Sequence, residues 1–286
     1  ASAEPPGPPG LPRDAGMSPT APAGGEGSRA PSAPPGPWIL PPWPSASDGG
    51  CRLICLPHAG GGPAAFRSLA LRLSPQIAVL PVQLPGRAGR IREKPVGHLL
   101  SLAGTLADAL GPLLDQPYAI LGHSLGALAA FETTRELARR RSPLPVRLFV
   151  SSRKSPRIRD PGGPIHTLPD EEFVAEVRAR YGGIPEPVLR EPELMKLLLP
   201  SLRGDFEMLD GYEYVAGEPL ECPVVALRGQ DDVRTPLDEL EAWGQETLGP
   251  FSVHELAGGH FYFQQSEEAI ADLVRREIEG AMAGAR

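Results

Sequence analysis

The fold of this chain is best predicted from the stretch YAILGHSLGALAAF at residues 118–131. Its first four residues are apolar, as in a buried strand, and the residues from Leu125 onward place apolar side chains at helical spacing. Between the two lies Gly122-His123-Ser124-Leu125-Gly126, which fits the pattern G-x-S-x-G. A serine flanked in this way between a strand and a helix indicates a sharp, strained turn whose hydroxyl projects from the top of a sheet.

Strands and helices alternate on both sides of this turn. Apolar runs predict strands at residues 53–56, 77–82, 118–121, 146–151, 224–227 and 251–255. Apolar residues at helical spacing predict helices at residues 64–73, 99–114, 125–141, 170–181, 191–213, 237–248 and 267–282. Such alternation is typical of the α/β class with a doubly wound, mostly parallel sheet.

One segment, at about residues 152–221, interrupts the alternation. It contains helical patterns but no convincing strand, and it follows the predicted strand 146–151. Open α/β sheets bind ligands at the carboxyl ends of their strands, so an insertion at this edge is usually functional. The sequence therefore predicts a helical lid over a site.

The first 50 residues have a different composition from the rest. They hold 14 prolines and 9 glycines, out of 36 and 33 in the whole chain. This exceeds the level that marks low-complexity sequence, and we interpret residues 1–50 as a disordered or extended tail. The PxxP spacings leave a docking segment as an alternative. Residues 51–286 are predicted to form one domain, while Met17 remains a possible natural start.

The charge and the cysteine content exclude several classes of protein. The formal net charge of −7 gives no general attraction for nucleic acid or for an anionic membrane. No apolar run is long enough to predict a membrane span, and no signal peptide is expected. The three cysteines have no metal-ligand spacing and are predicted to be buried thiols, which favours a cytoplasmic protein.

Two further residues complete a candidate catalytic triad with Ser124. In α/β-hydrolases the nucleophile is followed along the chain by an acid and then by a histidine, each just past a strand end. Asp232 follows the strand at 224–227, and His260 follows the strand at 251–255. We favour Asp232, three residues after Gly229, as the acid; Asp231 remains the alternative and could instead hydrogen-bond the turn.

A glycine-rich segment, LPHAGGG at residues 56–62, follows the first predicted strand. In this fold such a segment supplies one of the two backbone N–H groups that bind an oxyanion. We assign the two donors to Ala59 and Leu125. A phosphate-binding loop is the rival interpretation, but the chain lacks both G-x-G-x-x-G and a following Gly-Lys-Ser/Thr.

These segments together resemble the type II thioesterases, the free-standing editing enzymes of modular polyketide and nonribosomal peptide synthesis. The resemblance covers about residues 51–280 and rests on PHAGG at 57–61, LPGR at 84–87, GHSLG at 122–126, SRKSP at 152–156, LRGDF at 202–206 and GGHFY at 258–262. It implies hydrolysis of acyl thioesters on the phosphopantetheine arm of an acyl or peptidyl carrier protein. It implies neither a cofactor nor a metal.

Three other functions remain open at this point. The chain could be a product-releasing thioesterase domain cut from a synthase, a general carboxylesterase, or a non-catalytic homologue that only binds carrier protein. A dense basic cluster, defined as Arg153, Lys154, Arg157 and Arg159, follows the strand at 146–151. Because carrier proteins are typically acidic, this cluster is a candidate contact for the carrier or for the phosphate of its arm, with a solvated loop as the alternative.

Overall fold

The computed structural model describes Ala1, residues 36–44 and residues 50–284. Six parallel strands form one sheet in the order β2-β1-β3-β4-β5-β6. They are β1 (Cys51–Leu56), β2 (Ile77–Pro81), β3 (Tyr118–His123), β4 (Arg147–Ser151), β5 (Val224–Gly229) and β6 (Phe251–Leu256). The predicted parallel α/β sheet is confirmed, and each predicted strand is present.

Eight helices accompany the sheet in the described part of the chain. They are α1 (Arg67–Leu73), α2 (Leu99–Leu110), α3 (Leu125–Arg139), α4 (Asp170–Tyr181), α5 (Glu186–Leu189), α6 (Pro192–Asp210), α7 (Leu237–Glu241) and α8 (Glu267–Gly284). None of these helices has the length and apolarity that crossing a membrane requires.

The apolar core lies on both faces of the sheet. Strand residues alternate between the two faces, so in β1 Leu53 and Cys55 pack with α1 and α8 while Ile54 and Leu56 pack with α2 and α3. Burial on both faces explains why these strands appear in the sequence as continuous apolar runs. The three cysteines are free and buried within these two layers, as predicted.

Two predicted helices end earlier than expected and continue as 3-10 turns. The helix predicted at 99–114 ends at Leu110 and continues as a 3-10 turn over Gly111–Leu113. Pro112 has no N–H for an α-helical bond, and its ring collides with the preceding turn. The helix predicted at 237–248 ends at Glu241, and Ala242–Glu246 form a 3-10 helix that buries Trp243.

A short strap, residues 38–43, lies along β2. Ile39 pairs with Val82 and Trp43 with Val79 through isolated antiparallel bridges, and Ile39 is 1% exposed. The strap falls inside the segment predicted as a disordered tail. For these residues the prediction is wrong, because they pack against β2. The rest of that segment, residues 2–35 and 45–49, lies outside the described residues.

The segment between β4 and β5 contains three helices, α4, α5 and α6, and every residue from 152 to 223 is described. None of them joins the sheet. Five of its buried residues, Ile165, Phe173, Val177, Leu202 and Phe206, form a small apolar core of their own. The predicted lid position, after the carboxyl end of a strand, therefore carries a helical layer with its own packing.

Candidate active site

Ser124 occupies a strained turn between β3 and α3. Its backbone has φ 56° and ψ −115°, a left-handed conformation that side chains rarely adopt. A Cβ atom on Gly122 would lie 2.0 Å from the carbonyl oxygen of Gly126, and one on Gly126 would lie 2.2 Å from the carbonyl oxygen of Leu56. The two glycines of the motif are thus required by the close approach of strand and helix.

The three residues predicted as a triad lie together at the carboxyl edge of the sheet. His260 Nε2 lies 3.1 Å from Ser124 Oγ, and His260 Nδ1 lies 3.0 Å from Asp232 Oδ2. Both distances are within hydrogen-bond range. Ser124 follows β3, Asp232 follows β5 and His260 follows β6, so parallel strands bring residues 136 positions apart into contact.

Asp232 is held as a carboxylate. It is 2% exposed, and burial alone would raise its pKa, but the hydrogen bond and charge of His260 and the hydrogen bond from the Arg234 N–H hold the pKa below its usual value. Its Oδ1 accepts the Arg234 N–H at 3.0 Å. Asp231 is exposed instead, and its N–H donates to Gly258 O at 2.9 Å.

The N–H groups of Ala59 and Leu125 remain available at this edge. Neither donates to an acceptor among the described residues. Leu125 is the first residue of α3, where helical N–H groups have no partner in the helix, and Ala59 lines the cavity above Ser124. The two positions predicted as oxyanion donors therefore flank the serine with free donors.

Two more imidazoles surround His260, and both are kept neutral. Burial, with the nearby charges of His260 and Arg87, lowers the pKa of His58 to about 4. Burial likewise lowers the pKa of His123 well below its usual value. His123 Nδ1 lies 2.8 Å from Ser151 Oγ, which lies 2.7 Å from the Tyr262 hydroxyl. His123 is therefore part of a buried hydrogen-bond network with Ser151 and Tyr262 below the turn.

An apolar cavity of about 300 Å³ opens above Ser124. Its walls come from the glycine-rich turn after β1, from the helical layer α4–α6 and from the segment after β6. Among the residues that line it are His58, Tyr181, Leu202, Phe206, His260 and Phe261. A cavity of this kind suits a hydrocarbon chain whose reactive end reaches the serine.

A small polar recess meets Ser124 and His260 from another side. Arg153, Lys154, Asp160 and Arg234 are among its lining residues. Asp160 forms ion pairs with Arg153 at 2.9 Å, Lys154 at 3.2 Å and Arg234 at 3.3 Å. These three cations border the site, but they share one carboxylate.

The other two members of the basic cluster lie elsewhere. Arg157 Nε lies 2.5 Å from Oε1 of the buried Glu246. The Arg159 side chain is 86% exposed and lies 3.9 Å from Glu213. The cluster therefore divides into two residues at the recess, one in a partly buried ion pair and one in solvent.

Sequence reasoning missed four residues that shape the site. Arg234 lies at the recess with its guanidinium 4.9 Å from the ring centroid of Tyr181, and neither was assigned a role. Asp205 accepts hydrogen bonds from Arg87 and from the Gly60 N–H. Arg87 and Asp205 lie in the segments LPGR and LRGDF, which the sequence analysis identified. The two residues are 118 positions apart, so the sequence did not indicate that they contact each other.

Comparison with known proteins agrees with this geometry. The family model of the thioesterase domain matches residues 51–278. The gramicidin S biosynthesis protein GrsT of Aneurinibacillus migulanus is 39% identical over 232 residues, covering 81% of this chain and 90% of that protein. Thioesterase PikA5 of Streptomyces venezuelae is 39% identical, covering 79% of this chain and 80% of its own length.

A solved structure has the same architecture. The type II thioesterase BorB from the borrelidin biosynthetic cluster superposes with a TM-score of 0.75 at 38% identity, covering 85% of this chain and 96% of that one. The fold and site thus define an α/β-hydrolase. The chain belongs to the thioesterase family, and the resemblance to type II thioesterases seen in its sequence is confirmed.

Proposed function

We propose that this protein is an editing thioesterase that hydrolyses acyl groups from the phosphopantetheine arm of carrier proteins in polyketide or nonribosomal peptide synthesis. The observation that carries the proposal is the hydrogen-bonded row Ser124–His260–Asp232 on the floor of an apolar cavity. A nucleophile, a base and an acid in this order, beside a cavity for a hydrocarbon chain, suit acyl transfer.

The proposed reaction has two halves. His260 Nε2 takes the Ser124 proton as Oγ attacks the thioester carbonyl, and the N–H groups of Ala59 and Leu125 stabilise the oxyanion. The C–S bond breaks, and the thiol leaves with the proton from His260. In the second half His260 takes a proton from water as the water oxygen attacks the acyl-serine carbonyl. The bond between the acyl carbon and Oγ then breaks, His260 returns the proton to Ser124 Oγ, and the carboxylic acid leaves.

Asp232 acts on His260 rather than on the substrate. Its carboxylate holds the imidazole with the proton on Nδ1 and stabilises the imidazolium that forms in each half of the reaction. The lowered pKa of Asp232 keeps this group charged throughout the neutral range. His58 and His123 remain neutral and add no competing positive charge beside the imidazolium.

We also propose that polar groups of the carrier arm bind against the residues of the polar recess. Its amides and phosphate suit the donors of Arg153, Lys154 and Arg234, while the acyl chain suits the apolar cavity on the other side of Ser124. Arg159 extends into solvent, where it favours encounter with an acidic carrier. The whole reaction would take place in the cytoplasm, where the carrier-bearing synthases act.

The free-standing editing role is favoured over product release by the pattern of relatives. The chain covers 90% of GrsT at 39% identity, but only 11% of the AMB antimetabolite synthetase AmbE at 32% identity. The greater likeness is thus to a protein of similar length. A non-catalytic carrier-binding role is disfavoured because the three triad side chains are in hydrogen-bond contact.

Mass spectrometry of carrier-bound acyl groups tests the proposal. A carrier loaded with acetyl, butyryl or octanoyl thioester is incubated with the protein, with the Ser124→Ala variant as the matched control. We expect free arm thiol and released acid with the wild type only. The matching oxygen esters of the arm are run in parallel, and preferential cleavage of these would instead indicate a general carboxylesterase.

A further inference from the structure

We propose that Asp205, on lid helix α6, is a positioning residue for the oxyanion donor Ala59, and that Arg87 holds Asp205 in place. The proposal rests on the proposed function for the role of Ala59, and it goes further by making the lid part of the catalytic geometry. The reacting atoms would then be arranged by a residue that does not touch the substrate.

The oxyanion segment is folded as a tight turn. Gly61 N donates to His58 O at 2.9 Å, and Gly60 has φ +76°, the conformation of the third residue of a type II turn. Because the peptide between His58 and Ala59 is trans, the carbonyl that faces Gly61 forces the Ala59 N–H to the opposite side. The direction of the donor is therefore set by the turn.

Asp205 holds this turn from the lid. Its Oδ2 accepts the Gly60 N–H at 2.7 Å and Arg87 Nη1 at 2.7 Å, while Oδ1 accepts Arg87 Nη2 at 2.6 Å. Arg87 Nη1 also donates to Gly61 O at 2.9 Å. The ion pair thus binds the N–H of the peptide between Ala59 and Gly60 and the carbonyl of the peptide between Gly61 and Gly62, which restricts rotation of the turn that carries the donor peptide.

The ion pair is deeply buried. The side chain of Arg87 is 5% exposed and that of Asp205 is 1% exposed. A buried pair repays its desolvation only through near-ideal geometry, and apolar residues of similar volume often stabilise a fold as well or better. Stability alone therefore does not explain why an ion pair occupies this position. Its hydrogen bonds to the oxyanion turn do explain it.

The same helix also forms a wall of the acyl cavity. Leu202, one turn before Asp205, would come within 2.8 Å of a Cβ on Gly60, and Phe206 lines the cavity next to it. The C-terminal half of α6 therefore lines the proposed acyl cavity and contacts the oxyanion turn at once. An acyl group that shifts this part of the helix would also move the donor.

Asp205→Asn tests the proposal. The amide keeps an oxygen for the Gly60 N–H but loses the paired contact with Arg87. We expect kcat on a short acyl thioester to fall about 10- to 100-fold, less than the loss of a whole oxyanion donor. KM and the binding of the product acid should barely change. The affinity for a trifluoromethyl ketone, whose adduct with Ser124 carries an oxyanion, should fall by the same factor as kcat.

Asp170→Asn is the matched control. Asp170 pairs with Arg203 at 2.6 Å on the same lid, and neither residue contacts the oxyanion turn. This variant should keep wild-type kcat and ketone affinity. If Asp205→Asn also keeps both values, or if it weakens acid and ketone binding equally, the positioning role is wrong.

A double variant keeps the test decisive if Asp205→Asn does not fold. Arg87→Met with Asp205→Leu removes both charges together, the kind of replacement that buried ion pairs tolerate. A folded double variant with full kcat and ketone affinity would overturn the proposal. Ketone binding requires only that Ser124 attacks the ketone. It therefore still tests the positioning role of Asp205 if the wild type does not cleave carrier thioesters and the proposed function fails.

Discussion

The carboxylate of Asp232 lies 3.0 Å from the imidazole of His260, joined through Oδ2 and Nδ1. The preceding Asp231 is exposed and makes its contact with Gly258 through the backbone. Two adjacent acids in one loop thus have different environments, and this difference can be tested.

Asp232→Asn should lower kcat by about 10³- to 10⁴-fold, because an amide no longer holds the His260 tautomer that accepts the serine proton. Asp231→Asn makes the same chemical change one residue earlier and should leave kcat within about twofold. Steady-state hydrolysis of a short acyl thioester measures both. A greater loss from Asp231→Asn would mean that the acid is misassigned.

Ser124→Ala should abolish turnover, with a loss of at least about 10⁴-fold, while leaving the fold intact. The substitution removes only Oγ, which lies 3.1 Å from His260 Nε2 and makes no packing contact that the fold needs. Thioester hydrolysis and thermal unfolding are measured together. Residual activity within tenfold of the wild type would contradict the assignment of Ser124 as nucleophile.

Arg159→Ala should raise KM for an acyl-carrier substrate about two- to fivefold, since an exposed cation acts on encounter rather than on chemistry. KM for a short thioester without phosphate should not change. Added salt should reduce the difference, because exposed charges are screened within about 10 Å at 0.1 M. Equal effects on the two substrates would argue against docking at this residue.

Arg157→Ala should behave differently from Arg159→Ala. It removes the cation from Glu246, which is 3% exposed, and leaves that carboxylate with the Tyr214 hydroxyl at 2.9 Å. We expect a loss of about 1 kcal/mol or more in the free energy of unfolding. Urea unfolding measures this loss, and unchanged stability with a raised carrier KM would instead place Arg157 in the docking surface.

His58 should make stability depend on pH below neutrality. Its folded pKa of about 4 lies below the ordinary value of 6.5. Between these values the unfolded chain binds more protons, so the free energy of unfolding should fall as the pH drops from 6.5 to 4, by up to about 1.4 kcal/mol per unit for one such group. His58→Gln should reduce this slope in urea titrations at several pH values. An identical slope in the two proteins would show that His58 is not the cause.

Much of this molecule could be predicted from local patterns. The serine turn, the acid and the histidine each follow an apolar run, and in a parallel sheet such positions meet at one edge. The sequence could not predict the strap at residues 38–43, because proline-rich composition masks the single buried Ile39. Nor could it predict the pairing of Arg87 with Asp205, since charge alone does not tell which distant partner an arginine meets.

The basic cluster is a second case in which the sequence did not predict the contacts of charged residues. Four cations close together in sequence suggested one surface, but Asp160, Glu239 and Glu246 divide them among separate ion pairs. Asp160 directly follows the cluster, whereas Glu239 and Glu246 both lie in the connection between β5 and β6. A run of basic residues in a sequence therefore predicts a basic surface only when the residues that contact it in the fold are also known.

The strap has a consequence for where this domain begins. The outer edge of β2 offers unpaired N–H and C=O groups to any other strand, and such edges are templates for aggregation. Here Leu40 N donates to Pro81 O at 2.9 Å and Gln83 N donates to Trp38 O at 2.8 Å, so this chain covers its own edge. The family model begins at residue 51. A chain cut there keeps every proposed catalytic residue and loses its edge cover, so it should self-associate, whereas one that begins at residue 36 should remain monomeric.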